Sequence, residues 1–184
     1  MNTPIFTLIA VFSLALLPQA NYGDEKPAAA QTVSLEKYTN AEKHYSIEYP
    51  STWKKSDVPQ LDIVLFAPSD TDESRPRASL NIVSENIGAS IPLNTFFDES
   101  LNNLKQTLKE VKIENSGTAN LNGTESKWVT YTHVMQNVKF KVLQYFVASD
   151  KSVYLITFGS VDQDFDNYKK EFEEIISSFK ISKS

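Results

Sequence analysis

The stretch between residues 125 and 159 constrains this chain most. Three runs, Glu125 to Met135, Val138 to Ala148 and Val153 to Gly159, are rich in β-branched and aromatic residues, among them Trp128, Val129, Tyr131, Phe140, Val142 and Tyr145. Such residues suit a pleated, half-buried surface. The breaks between the runs, Gln136-Asn137 and Ser149-Asp150-Lys151, leave room only for tight turns. A fourth run, Val111 to Thr118, meets the first at Asn122-Gly123, a dipeptide suited to a two-residue hairpin. Hairpin-linked strands run antiparallel, so the second half of the chain is committed to an antiparallel sheet.

Shorter strand signals come earlier, at Leu35 to Thr39, His44 to Tyr49, Leu61 to Ala67 and Arg77 to Asn86. The second alternates, with Tyr45, Ile47 and Tyr49 on one face and His44, Ser46 and Glu48 on the other, and Pro50 ends it. Two segments carry a helical period instead. Leu93, Phe96, Phe97, Leu101, Leu104, Leu108 and Val111 form one stripe, with Asn94 as the expected N-cap and an end near Glu110. Phe165, Tyr168, Phe172, Ile175, Ile176 and Phe179 form another, starting near Asp162. The order is therefore four strands, a helix, four strands and a helix, with a last short strand at the end. This predicts an α+β domain: an antiparallel β-sheet of about six to eight strands flanked by two main α-helices, which bury their stripes on it.

The N-terminus points to an address. Ile5 to Leu17 is apolar apart from Thr7 and Ser13, and no charged residue precedes Asp24. This length suits the core of a signal peptide and falls short of the roughly 20 residues that span a bilayer. The expected organisation is a signal peptide over 1–23, cleaved after Ala20 or Gly23, a flexible tether over 24–33, and a domain over 34–184. The chain has no cysteine, hence no lipid-attachment site and no disulfide. Its net charge of −5 disfavours nucleic acid and a polybasic grip on anionic lipid. A soluble, exported monomer, periplasmic or secreted, is the expectation.

Residues 45–53, Tyr-Ser-Ile-Glu-Tyr-Pro-Ser-Thr-Trp, resemble the opening motif of the PsbP family, the extrinsic oxygen-evolving-complex proteins of photosystem II, and of bacterial envelope proteins of the DcrB type. The far end is similar too: Tyr-Leu-Ile-Thr-Phe at 154–158, then Tyr168, Phe172, Ile175 and Ser178-Phe179-Lys180-Ile181. The resemblance covers about residues 35–182, and the superfamily includes the Ran-binding import factor fold. It implies an antiparallel sheet with flanking helices, in agreement with the reading above. In function it implies either a photosystem II accessory protein or an envelope protein. Cyanobacterial members carry a lipid-modified cysteine that this chain lacks. The motif itself has structural uses: Tyr45, Ile47 and Tyr49 offer one apolar strand face, Pro50 turns the chain out of the ladder, and Trp53 can fold back over the sheet edge.

Few constellations suggest chemistry. Asp162, Asp164, Asp166 and Glu173 fall at positions 1, 3, 5 and 12 of a calcium-binding EF-hand loop. Asn167 stands where that loop needs glycine, and Phe165, Tyr168 and Phe172 keep helical period through it. Carboxylates at a helix start are the expected reading, favoured there by the helix dipole. Asp70, Asp72 and Glu73, followed by Arg75 and Arg77, read as a solvated charged loop. His44 and His133 fall on separate strands at positions expected to face outward, and a metal would need a further carboxylate ligand. Asn122-Gly123-Thr124 is a formal glycosylation sequon, with hairpin geometry a sufficient reason for it. No glycine-rich phosphate loop and no G-x-S-x-G elbow is present. The expectation is an exported non-enzymatic binding or assembly module, without cofactor, acting on an envelope or extracellular protein. The alternatives are a photosystem II accessory protein with weak calcium or zinc binding, and an envelope-maintenance protein.

Overall fold

In a computed structural model, residues 34–68 and 77–182 are described. The expected signal peptide and tether, and the acidic loop at Asp70, Asp72 and Glu73, lie outside the described residues. The meander forms as its turn residues require. Strands β6 (Lys112–Leu121), β7 (Thr124–Met135), β8 (Val138–Ser149) and β9 (Ser152–Val161) follow one another through tight turns. Asn122 and Gly123 take φ of 50° and 92°, and Gln136 and Asn137 take 50° and 66°. Positive φ at both central residues gives a hairpin the twist of its flanking strands.

Ahead of the meander lie β1 (Leu35–Asn40), β2 (Tyr45–Pro50), β3 (Lys54–Ser56), β4 (Ile63–Phe66), β5 (Ala78–Asn86) and helix α1 (Leu93–Thr107). After it come a short 3-10 turn (Asp162–Asp164), helix α2 (Phe165–Ser177) and β10 (Lys180–Ile181). All strand pairs are antiparallel, as expected, but the strands divide between two sheets. One is seven-stranded, in the order β3-β4-β5-β9-β8-β7-β6, and the other is three-stranded, in the order β1-β2-β10. Pro50 stands opposite Leu35 as the last ladder residue of β2, and a turn closed by the Trp53 N–H on the Pro50 carbonyl (2.9 Å) leads the chain into β3.

The large sheet is covered on both faces. Trp128, Tyr145, Ile156 and Ile82 stand in register across β7, β8, β9 and β5, and face the side where α2 lies. Phe172 of α2 stacks on Phe158 at 4.5 Å between ring centroids. On the other face, Phe96 and Phe97 of α1 meet Phe146 edge-on at 5.7 and 5.0 Å. Burying one such side chain contributes about 1.5–3 kcal/mol, so both helices are held chiefly by their aromatic stripes.

Three local expectations are corrected. Pro92 occupies the N-cap of α1 and no side chain caps it, so Asn94 lies inside the first turn. The helix stops at Thr107, short of Glu110, because Leu108 is extended and Glu110 takes a φ of 53°. His44 lies in the turn before β2, exposed and at a φ of 54°, not on the strand.

The two ends of the described chain meet. β10 pairs with β2, placing Lys180 opposite Ser46 and Ile181 opposite Tyr45. Ser178 accepts the Glu48 N–H at 2.7 Å and donates to the Ile175 carbonyl at 2.6 Å. Asn122 at the β6–β7 turn donates to the carbonyls of Ser177 (2.7 Å) and Phe179 (2.9 Å). Carbonyls at a helix end lack intrahelical partners, and this amide satisfies those that close α2. The Asn122 of the formal sequon thus has both amide protons engaged inside the fold.

Candidate functional site

The residues singled out from the sequence do not converge. Asp162 receives Lys139 of β8 at 2.7 Å. Asp164 is buried and faces Arg77 at 4.0 Å; burial raises its pKa and Arg77 lowers it in part. Asp166 is exposed on the first turn of α2, and Glu173 pairs with Lys169 one turn before it. The helical stripe already uses Phe165, Tyr168 and Phe172, all buried, so the carboxylates project in different directions. Among the described residues, no three His, Asp or Glu side chains gather as metal ligands would.

His133 corrects the expectation that it faces outward. It is only 2 % exposed, stacks on Phe140 at 5.7 Å and 23°, and burial lowers its pKa. It shares its face of β7 with Val129 and Tyr131, both fully buried on the α1 side of the sheet, so alternation along the strand places it inside. His44 lies in the turn before the three-stranded sheet and His133 in the seven-stranded one, and no metal-ligand cluster among the described residues joins them.

A constellation not read from the sequence lies at the seam between the sheets. Asp62, just ahead of β4, donates its backbone N–H to Ile82 (2.9 Å), and its carboxylate accepts the Ser84 hydroxyl. The Tyr38 hydroxyl of β1 donates to the Asp62 carbonyl at 2.8 Å and receives the Asn40 amide at 3.3 Å. Tyr154 of β9 donates to the Lys43 carbonyl at 2.9 Å. Burial raises the pKa of Asp62, against the pull of Ser84 and Lys43. Burial, and then the nearby Asp62 charge, push that of Tyr45 far above the phenol range. The fully buried Tyr45 hydroxyl has no partner in hydrogen-bonding geometry. Most of these contacts end on backbone carbonyls, so the seam fastens β1 and β2 to β4, β5 and β9. Only the strand signals at Leu35 to Thr39 and His44 to Tyr49 were legible beforehand; nothing in the sequence joins Tyr38 to Asp62.

Trp53 has a comparable role. Its ring is 2 % exposed, and its Nε1–H donates to Glu171 of α2 at 2.7 Å. It fastens the chain after β2 to the second helix, deeper than an edge cover.

The surface open to a partner lies at the far edge of the large sheet. β6 pairs with β7 alone, leaving its outer side open among the described residues. From Asn115 to Asn120 it carries no charge, and Ser116, Thr118 and Asn120 are exposed. The other edges are guarded or short. β3 has three residues, two of them lysine; β10 has two residues; and β1 carries Glu36 and Lys37. Short strands and edge charges prevent unwanted strand pairing; β6 has Lys112, Glu114 and a bulge between Ile113 and Asn115 at its start, and none of these beyond Asn115. Half-buried Trp128 of β7 leans over β6 at Gly117, where an added Cβ would come within 2.9 Å of the indole. Glycine there lets the ring lie flat on the edge strand.

A seven-stranded and a three-stranded antiparallel sheet, with α1 and α2 on opposite faces of the larger, define an α+β domain of the PsbP type. The chain belongs to the PsbP-like protein family, whose model matches residues 11–181. No curated protein sequence matches it at a significant level. Among solved structures, it is similar to the cyanobacterial PsbP (CyanoP) of Synechocystis, with a TM-score of 0.58 and 18% identity, covering 85% of this chain and 98% of that one. LpqN of Mycobacterium tuberculosis, described as involved in cell envelope biogenesis, gives a TM-score of 0.62 at 11% identity, with 83% and 93% covered. The Ran-binding protein Mog1p of Saccharomyces cerevisiae gives 0.57 at 9%, with 82% and 96% covered. At these identities the likeness concerns the fold.

Proposed function

We propose that this protein is an exported, non-enzymatic binding or assembly module that engages another envelope or extracellular protein. The observation that carries the reading is the β6 edge: ten residues long, uncharged over Asn115–Asn120 and open on its outer side among the described residues. Such an edge accepts an extended segment of a partner as an added strand, with main-chain hydrogen bonds supplying affinity. Trp128 beside it offers an aromatic anchor, a residue type over-represented at binding hot spots. Among the described residues no helix is long and apolar enough to cross a membrane. Likeness to an envelope-biogenesis protein supports the same setting. The photosystem II alternative rests on likeness of fold to the Synechocystis protein, and the dispersal of Asp162, Asp164, Asp166, His44 and His133 lends its calcium or zinc element no support.

A photo-cross-linker placed at Thr118 in the native host tests the proposal. It should capture one discrete protein, whereas the same probe at Lys170 on the exposed side of α2 captures none. Thr118→Pro, which inserts a ring into the open edge, should abolish the product while the domain stays folded. Equal products from both sites, or none from Thr118, would sink the strand-addition reading.

A further inference from the structure

We propose that Trp128 selects the strand that β6 accepts: the partner segment sets an aromatic side chain opposite Gly117, an uncharged polar one opposite Thr118 and an apolar one opposite Ala119. The proposal rests on the strand-addition reading of β6 and names the kind of segment that edge takes.

The two faces of β6 differ. Gly117 stands opposite Trp128 of β7, and Trp128 stands opposite Tyr145 of β8. The Tyr145 ring lies 6.3 Å from Phe172 of α2, and both Tyr145 and Trp128 pack against the core layer beneath that helix. One apolar row therefore runs outward from α2 across β8 and β7 to the edge strand. Ala119, half-buried, lies on the same face two residues on. Thr118 is on the other face: its neighbour across the ladder, Lys127, holds its ammonium 4.7 Å from the Phe97 ring of α1. Ser116 and Asn120 share that face, and all three are exposed.

Glycine at 117 decides how far the apolar row reaches. A Cβ there would come within 2.9–3.0 Å of Cζ2, Cε2 and Nε1 of the indole. The ring that starts on β7 thus lies over the edge strand, where any other residue would wall it off. Side chains directly opposite on paired strands have Cβ atoms about 4.5–5.5 Å apart. A residue opposite Gly117 on an added strand would therefore meet the Trp128 indole instead of a β6 side chain.

Ring geometry sets the residue type. An indole lying flat on the strand turns its rim to a neighbour in the plane of the sheet, and the rim is the electropositive part of an aromatic ring. It suits the face of a second aromatic ring, edge to face, and disfavours Lys or Arg, which bind ring faces. Asn115 to Asn120 also offers no charge to answer one on the partner. On the opposite face the exposed Ser116 and Thr118 hydroxyls suit Ser or Thr across the ladder.

A phage-displayed library of random peptides, panned on the full chain, provides the test. Enriched peptides should carry an aromatic residue two positions from an apolar one, with Ser, Thr, Asn or Gln between, and should slow amide exchange in β6 when bound. Gly117→Ala, which tilts the indole off the edge, and Trp128→Leu, which removes it, should each weaken a selected peptide by at least about fivefold, as loss of an interface anchor does. Exchanging the aromatic residue of the peptide for Leu should weaken binding to the wild type by a similar factor and to Trp128→Leu hardly at all; a loss of stability alone does not produce that coupling. Should Trp128→Leu fail to fold, Gly117→Ala completes the same cycle. Peptides that slow exchange in β6 but lack the pattern, or bind both variants as well as the wild type, would overturn this proposal and leave strand addition standing. Selected peptides that leave β6 exchange unchanged, or a library that yields none, would remove strand addition itself and this proposal with it.

Discussion

Tyr45 of β2 and Phe179, two residues after α2, pack ring to ring at 5.7 Å. Tyr154 of β9 completes the group, 5.8 Å from each. Each ring comes from a different stretch that carries the family likeness, so the likeness records a three-way contact that closes the domain. Phe179→Ala should cost about 3–5 kcal/mol, the usual range for a buried phenylalanine. Tyr45→Phe should be close to neutral or slightly stabilising, because the hydroxyl it removes is buried without a partner. Urea denaturation of the two variants checks both values; a large loss in Tyr45→Phe would show that this hydroxyl has a partner after all.

Gly117→Ala sets a Cβ 2.9 Å from the Trp128 indole. The ring must tilt away from β6, at a cost of about 1–3 kcal/mol for an overpacked position. The chain has two tryptophans, and Trp53 is deeply buried, so a red shift in emission would report Trp128. A Trp53→Phe background isolates that signal. The same background should be destabilised by about 1–3 kcal/mol, since Glu171 loses its indole donor.

Asn122→Ala removes two hydrogen bonds to the end of α2 and places a Cβ-bearing residue without a side-chain amide at a φ of 50°. A loss of about 2–3 kcal/mol is expected from two bonds of roughly 1 kcal/mol each plus the backbone strain. Exchange protection at Phe179 and in β10 should fall before that of the meander. Equal loss throughout would mean that the amide does not fasten the helix end.

Asp62 gives the seam a pH signature. Its folded-state pKa is raised by burial, so the native state binds this proton more tightly than the unfolded chain does. Its favourable contribution is complete below the unfolded carboxylate pKa and is lost as pH climbs through the folded value. Asp62→Asn should therefore raise the melting temperature at pH 7 and give no gain near pH 3. Burial also raises Glu85 and Asp164, which act in the same direction, so the difference between wild type and variant isolates Asp62. A variant less stable than wild type at pH 7 would show that the ionised carboxylate is needed at the seam.

Short-range order was the legible part. Asn122-Gly123 and Gln136-Asn137 reveal their hairpins because positive φ restricts the residue types there. The stripe of α2 is legible because every member faces one layer. β3 escaped notice because Lys54-Lys55-Ser56 has no apolar residue and exists only as an edge beside β4. The division into two sheets was hidden because the pairing of β2 with β10 joins opposite ends of the sequence. His133 was misplaced because its polar ring reads as outward, although it shares the strand face of Val129 and Tyr131 that packs with α1. Asp162, Asp164 and Asp166 share a spacing in the sequence, but Asp162 meets Lys139, Asp164 faces Arg77 and Asp166 is exposed, so the spacing does not gather them. The Asp62 seam, drawn from four separated segments, left no local signal.

The pairing of β10 with β2 also bears on timing. Contacts between distant parts of a chain form late, because the loop between them must close first. A chain leaving a ribosome or a translocation channel cannot close its three-stranded sheet until Ile181 is out, even with β6 to β9 already in register. The smaller sheet is therefore completed by a strand made well over a hundred residues after β2, and a chain stopped before it would keep β2 with one side open.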